Sequence, residues 1–128
     1  MDPQRRFTLQ ASGPQFRPRQ SALKFSQSVE PGSIATFGGT FGQVASVGSA
    51  LYVVPADLKY EPQQSHFAAV LTHLSELLTP LRAAGATRFV LHMHRTFDNA
   101  CNEEFTREEN RMLASLGCDF FYVARNDG

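Results

Sequence analysis

Between residues 62 and 84, Phe67, Val70, Leu71, Leu74, Leu77, Leu78 and Leu81 recur at steps of three, one, three, three, one and three. On an α-helix those steps place all seven side chains on one stripe. A helix with one apolar stripe has to bury it against another element, so the remainder of the chain must supply a covering layer. Pro62 suits an early helical position and Gly85 a left-handed stop. Pro80 lacks the N–H that would bond four residues back, which predicts a bend or an altered last turn around residues 76–80.

The covering layer reads as strands. Phe7, Leu9 and Ala11 alternate over residues 6–12 and end at Gly13-Pro14. Residues 19–25 suggest a short helix opened by Pro18. Glu30-Pro31-Gly32 is turn chemistry, since proline presets φ and glycine accepts positive φ. From residue 33 to 54 β-branched, aromatic and small residues dominate, which predicts strands near 33–38, 40–46 and 49–54 reversing at Gly38-Gly39 and Gly48-Ser49. Residues 88–95 alternate again, with Phe89, Leu91 and Met93 on one side and Val90, His92 and His94 on the other. Thr106-Arg107-Glu108-Glu109 fits a capping box. A short helix follows, turning Met112, Leu113 and Leu116 inward and stopping at Gly117, and residues 119–125 close the chain as a strand. The expected order is β-α-β-β(-β)-α-β-α-β: an α+β fold with a mostly antiparallel sheet, and one long and one or two short helices packed on one face.

Length and charge narrow the function classes. At 128 residues the chain is expected to form a single domain over residues 1–128, burying roughly two-thirds of its unfolded surface. Twelve Lys+Arg balance twelve Asp+Glu, against the excess of cations that nucleic-acid binding requires. No apolar run reaches membrane-spanning length, and no basic start leads into an apolar stretch, so no membrane partner and a cytoplasmic location are expected. Cys101 and Cys118 are too few for a disulfide framework.

Candidate chemistry is sparse. His92 and His94, two apart on a strand, point to one face as a metal would require, and Cys101 follows closely, but no third ligand is fixed by spacing. His66 and His73 share one side of the long helix. Cys101 with His92 or His94 could form a nucleophile–base pair, although a small buried cysteine is the commoner role. The glycines at 38, 39, 42 and 48 precede strands rather than a helix, which favours hairpin turns over a phosphate cradle. A ligand pocket lined by some of the 11 Phe competes with a plain core. Charge placement is uneven: Arg5, Arg6, Arg17, Arg19 and Lys24 stand against Asp2 near the start, and Asp98, Glu103, Glu104, Glu108 and Glu109 against Arg107 later. The acidic segment links a strand to a helix, which suits a docking surface for a basic partner.

Taken together, Gly13-x-x-Phe16-x-Pro18, Glu30-Pro31-Gly32, Gly48-Ser49-Ala50-Leu51 and Cys101-Asn102-x-Glu104-Phe105 resemble a family of small stand-alone bacterial α+β proteins of unknown function, similar to immunity proteins. The resemblance spans roughly residues 7–124; the family usually has Gln where this chain has Ala100. It implies a non-catalytic protein that needs no cofactor and neutralises a cognate toxin by occlusion. The partner-binding residues expected on this reading are Asp98, Asn102, Glu103, Glu104, Glu108 and Glu109, with charge reversal at Glu103 and Glu104 slowing association. The alternative is a small metal-binding protein or enzyme using His92, His94 and Cys101.

Overall fold

A computed structural model describes residues 5–35, 42–97 and 105–126. Five strands form one mixed sheet: β1 (Arg5–Gly13), β2 (Gln27–Val29), β3 (Gly48–Val53), β4 (Arg88–Phe97) and β5 (Asp119–Asn126), in the spatial order β2-β3-β1-β4-β5. Three of the neighbouring pairs are antiparallel and β4/β5 is parallel. A short 3-10 helix (Pro18–Ser21) follows β1, α1 (His66–Ala83) joins β3 to β4, and α2 (Arg107–Leu116) carries the chain from β4 to β5. The α+β fold is that read from the sequence, and the order from β3 onward, β-α-β-α-β, is kept.

Alternation explains which face the helices cover. Phe7, Leu9 and Ala11 of β1, Ala50 of β3 and Phe89, Leu91 and Met93 of β4 are buried with Phe67, Val70, Leu71, Leu74, Leu78 and Leu81 of α1. Leu116 of α2 joins this core, while Met112, Leu113 and Phe120 are half-buried against it. Burying one such leucine contributes about 1.5–3 kcal/mol, so the helical stripe fixes the sheet face against which α1 lies.

Several boundaries differ from expectation. Helix α1 starts after Ser65, whose backbone is extended and whose Oγ accepts from Ala68 N–H at 3.0 Å; Pro62 lies in the preceding turn. Pro80 lies within the helix, which runs on to Ala83; Gly85 N–H then donates to Arg82 O at 3.0 Å in a tightened turn, and Ala86 N–H reaches back to Leu81 O at 3.0 Å. Pro80 has no N–H to bond back to the Glu76 carbonyl, yet the helix continues through 76–80 and still buries Leu81. The expected helix over 19–25 shrinks to the 3-10 turn, ending at Ala22 with φ 62°. Gln27–Val29, where no strand is expected from the sequence, pairs with β3 as an edge strand. In place of the strands expected at 33–38 and 40–46, the described residues show an isolated bridge, Ile34 to Val44; Gly38 and Gly39 lie outside them.

Three glycines far apart in sequence meet around the turn after β1. A Cβ on Gly48 would lie 1.7 Å from the Phe16 carbonyl oxygen, one on Gly85 2.3 Å from that of Gln15, and one on Gly13 2.7 Å from that of Gly85. Phe16, fully buried, is held beneath this crossing. Gly48 thus opens β3 as a contact glycine, not as the hairpin corner expected from the Gly-Ser pair.

Candidate functional site

The pairing register defines the other face of the sheet. Val53, Thr8, His92 and Phe121 form one transverse row, Arg6, His94 and Val123 the next, and Leu51, Gln10 and Val90 a third. Among the described residues no helix covers these rows. Val53 is 54% exposed, Phe121 52% and Val123 47%, so the end of β3 and the β5 edge present apolar side chains to solvent. At the β2 corner the chain folds back on this face. Val29, Ala35 and Ala45 make a small separate core there, held by Gly32 N–H to Ala45 O at 2.8 Å and Ala45 N–H to Ser33 O at 2.7 Å.

The imidazoles belong to this open face. The His92 and His94 rings lie 6.2 Å apart at 17°, and His92 stacks on Phe121 at 5.6 Å and 17°. Burial, and secondarily the charge of His94, holds the His92 imidazole below its ordinary pKa, favouring the neutral ring. A shallow depression of about 140 Å³ beside it is lined by Gln10, Ser12, Arg88, Val90, His92 and Phe121. The result is a ledge of nearly parallel rings with polar side chains at its margin, suited to stacking and flat contact.

The other histidines face away from this ledge. His66 is buried against Phe7 (5.9 Å) and Tyr60 (5.6 Å), and His73 Nε2 shares a 2.7 Å hydrogen bond with the Tyr52 hydroxyl. Both rings are on α1, across the sheet from His92 and His94, so the helix pair adds nothing to the strand pair. Among the described residues no three His, Cys, Asp or Glu side chains gather as a metal would need, and Cys101 lies outside those residues. Cys118 is half-buried beneath the helices, and burial pushes its thiol up, away from nucleophilic character.

The acidic segment divides. Asp98, Asn102, Glu103 and Glu104 lie outside the described residues. Glu108 is exposed in the first turn of α2. Glu109, expected on the docking surface, is instead 5% exposed. One of its carboxylate oxygens accepts from Thr106 N–H at 2.7 Å, and the other from the Ser65 hydroxyl at 2.6 Å. Glu109 N–H in turn donates to Thr106 Oγ1 at 3.0 Å, closing the capping box legible in the sequence. The box extends to the N-cap of α1, and that contact removes Glu109 from the surface. A cavity of about 460 Å³ opens beside this junction, lined by Glu61, Gln64, Ser65, Thr106 and Glu108 among others.

Phe121 and Val123 were legible as strand residues but not as surface. The signal was the unbroken run Phe120-Phe121-Tyr122-Val123, which makes both faces of the last strand apolar when helices cover only one. Among the described residues no helix is long and apolar enough to cross a membrane. The fold and the open ledge define an α+β sheet-and-helix architecture in which, among the described residues, helices cover one sheet face and part of the other is open. Comparison with protein-family models, curated proteins and solved structures yields no match.

Proposed function

We propose that the protein is a non-catalytic binding protein that neutralises a protein toxin by occlusion, in the manner of immunity proteins, and that its open sheet face is the contact surface. The observation that carries the binding reading is the exposed strip of Val53, Phe121 and Val123 flanked by the stacked His92 and His94. Apolar surface of this kind, rimmed by polar side chains, is what protein interfaces bury. The choice of a toxin as partner rests on the resemblance carried by the Gly13, Glu30-Pro31-Gly32, Gly48 and Cys101-Asn102 motifs. Flat stacking surfaces suit a partner's exposed apolar and aromatic side chains, and Arg6 and Arg88 at the rim add attraction for carboxylates.

The test uses Val53→Asp and Thr8→Arg, which alter the face three and two strands from β5, respectively, without touching the core. Tagged protein is used to capture its partner, which is then expressed alone and together with each variant. A partner that is toxic alone, neutralised by the parent and not by the two variants, supports the reading. Neutralisation undiminished in both variants would overturn the assignment of this face. A captured partner without toxicity would overturn the toxin assignment.

A further inference from the structure

We infer that the protein forms a two-fold dimer by antiparallel pairing of β5 with β5 of a second copy, centred on Tyr122, with Asp119 of each chain opposite Arg125 of the other. The two edges of the sheet differ. β2 is three residues long, whereas β5 runs for eight, about 26 Å, and among the described residues no strand bonds to its outer edge. Its pairing with β4 is continuous from Val90–Asp119 to Phe97–Asn126, so no bulge twists it away. Proteins blunt exposed edges with proline, bulges or charged side chains; β5 has no proline and no bulge, and its charges, Asp119 and Arg125, stand near its two ends and leave 120–124 uncharged. Phe121, Tyr122 and Val123 are also three of the seven large apolar residues exposed among those described.

The occupant follows from the strand's own sequence, Asp119-Phe120-Phe121-Tyr122-Val123-Ala124-Arg125. Antiparallel to itself about Tyr122, it sets Asp119 against Arg125, Phe121 against Val123 and Phe120 against Ala124, each pair occurring twice. Aromatic–β-branched and opposite-charge pairs are the favourable cross-strand combinations. Centring on Phe121 would place Asp119 opposite Val123, and centring on Val123 would place Arg125 opposite Phe121. A one-residue slip would set helix-side residues against open-face residues. One register therefore matches both charge and apolarity, as an isologous interface requires. Asp119 meets Arg88 of its own chain at 3.6 Å across open solvent, with its side chain 63% exposed, so it remains reachable by a second cation.

Pairing in this register joins two sheets into one of ten strands. His92 and Phe121 of one chain then continue into Val123 and His94 of the other, so the two open faces become one surface. The inference stands apart from the identity of any toxin.

The test is mass measurement in solution, by light scattering or sedimentation, on the parent chain, Asp119→Arg, Arg125→Asp and an equimolar mixture of the two variants. The parent is expected at twice its 14.2 kDa chain mass. Each variant sets like charges opposite each other at both ends of the pairing, and dimerisation should weaken about 30-fold or more. The mixture should recover a dimer, because one chain then carries two positive strand ends and the other two negative ones. The mixture keeps both substitutions while restoring opposite charges, so its re-association reports on pairing even where a single substitution disturbs contacts within its own chain. A parent chain that stays monomeric at about 100 µM overturns the inference. So does a dimer unaffected by either substitution, or a mixture that fails to re-associate. Failure here leaves the Val53 and Thr8 result untouched, since those side chains lie outside the strand pairing.

Discussion

Replacing Glu109 should unlock two helices at once. Its carboxylate accepts from the Thr106 backbone N–H at 2.7 Å and from the Ser65 hydroxyl at 2.6 Å, while Ser65 Oγ accepts from Ala68 N–H. A hydrogen bond to a charged acceptor is worth about 1.5–3 kcal/mol. Glu109→Ala removes two and leaves the Thr106 N–H without its partner at the helix start. Discounting the hydroxyl, which can turn elsewhere, and a few tenths regained from alanine's helix propensity, the expected loss is about 2–4 kcal/mol. Glu109→Gln keeps an oxygen for Thr106 N–H but offers Ser65 a donor where an acceptor stood, and should cost about 1 kcal/mol. Urea unfolding followed by circular dichroism reads both; at about 1.5 kcal/mol per molar, the alanine variant should lower the midpoint by roughly 2 M. A Ser65→Ala/Glu109→Ala cycle should show a coupling of about 0.5–3 kcal/mol. An alanine variant within about 0.5 kcal/mol of the parent, or a coupling near zero, would refute the clamp.

Gly48→Ala should destabilise by about 3 kcal/mol or more, because its Cβ would meet the Phe16 carbonyl. Gly32→Ala, with positive φ but open space around it, should cost only about 1–2 kcal/mol; equal losses in thermal melts would contradict the steric account. His92 favours its neutral form when folded, so its contribution to stability is complete above the ordinary imidazole pKa and is lost as pH falls below it. Proton-detected titration should find His92 below the ordinary value and rising in His94→Gln; no change would remove the charge of His94 as a cause. Leu74→Ala, at a fully buried position in the middle of α1, should cost about 2–5 kcal/mol, and a loss under about 1 kcal/mol would show that the helical stripe is loosely packed.

How much of this was readable depended on whether a signal was local. The stripe of α1, the alternation of β1 and β4 and the Thr106–Glu109 box are patterns within one element, and the structure keeps all three. The misread boundaries depended on distant partners. Gln27–Val29 becomes a strand only because β3 runs beside it, and the true start of α1 is fixed by Ser65, whose hydroxyl answers to Glu109 forty-four residues later. The expected docking residue Glu109 failed for the same reason: adjacent carboxylates look alike in sequence, but one of them faces a second helix cap. Exposure of Phe121 was hidden because a run of four apolar residues does not say which face the helices leave bare.

The crossing of Gly13, Gly48 and Gly85 over Phe16 ties together segments thirty-five and seventy-two residues from the first of them. Gly48 pairs directly with Gly13 at the end of the β1–β3 ladder and Gly85 arrives only after α1, so the full crossing needs both long connections closed and is expected to form late in folding. Substitutions there should therefore act on the lifetime of the folded chain rather than on the rate at which it forms. On that expectation the crossing is a latch, doing more to slow the chain's escape than to guide it inward.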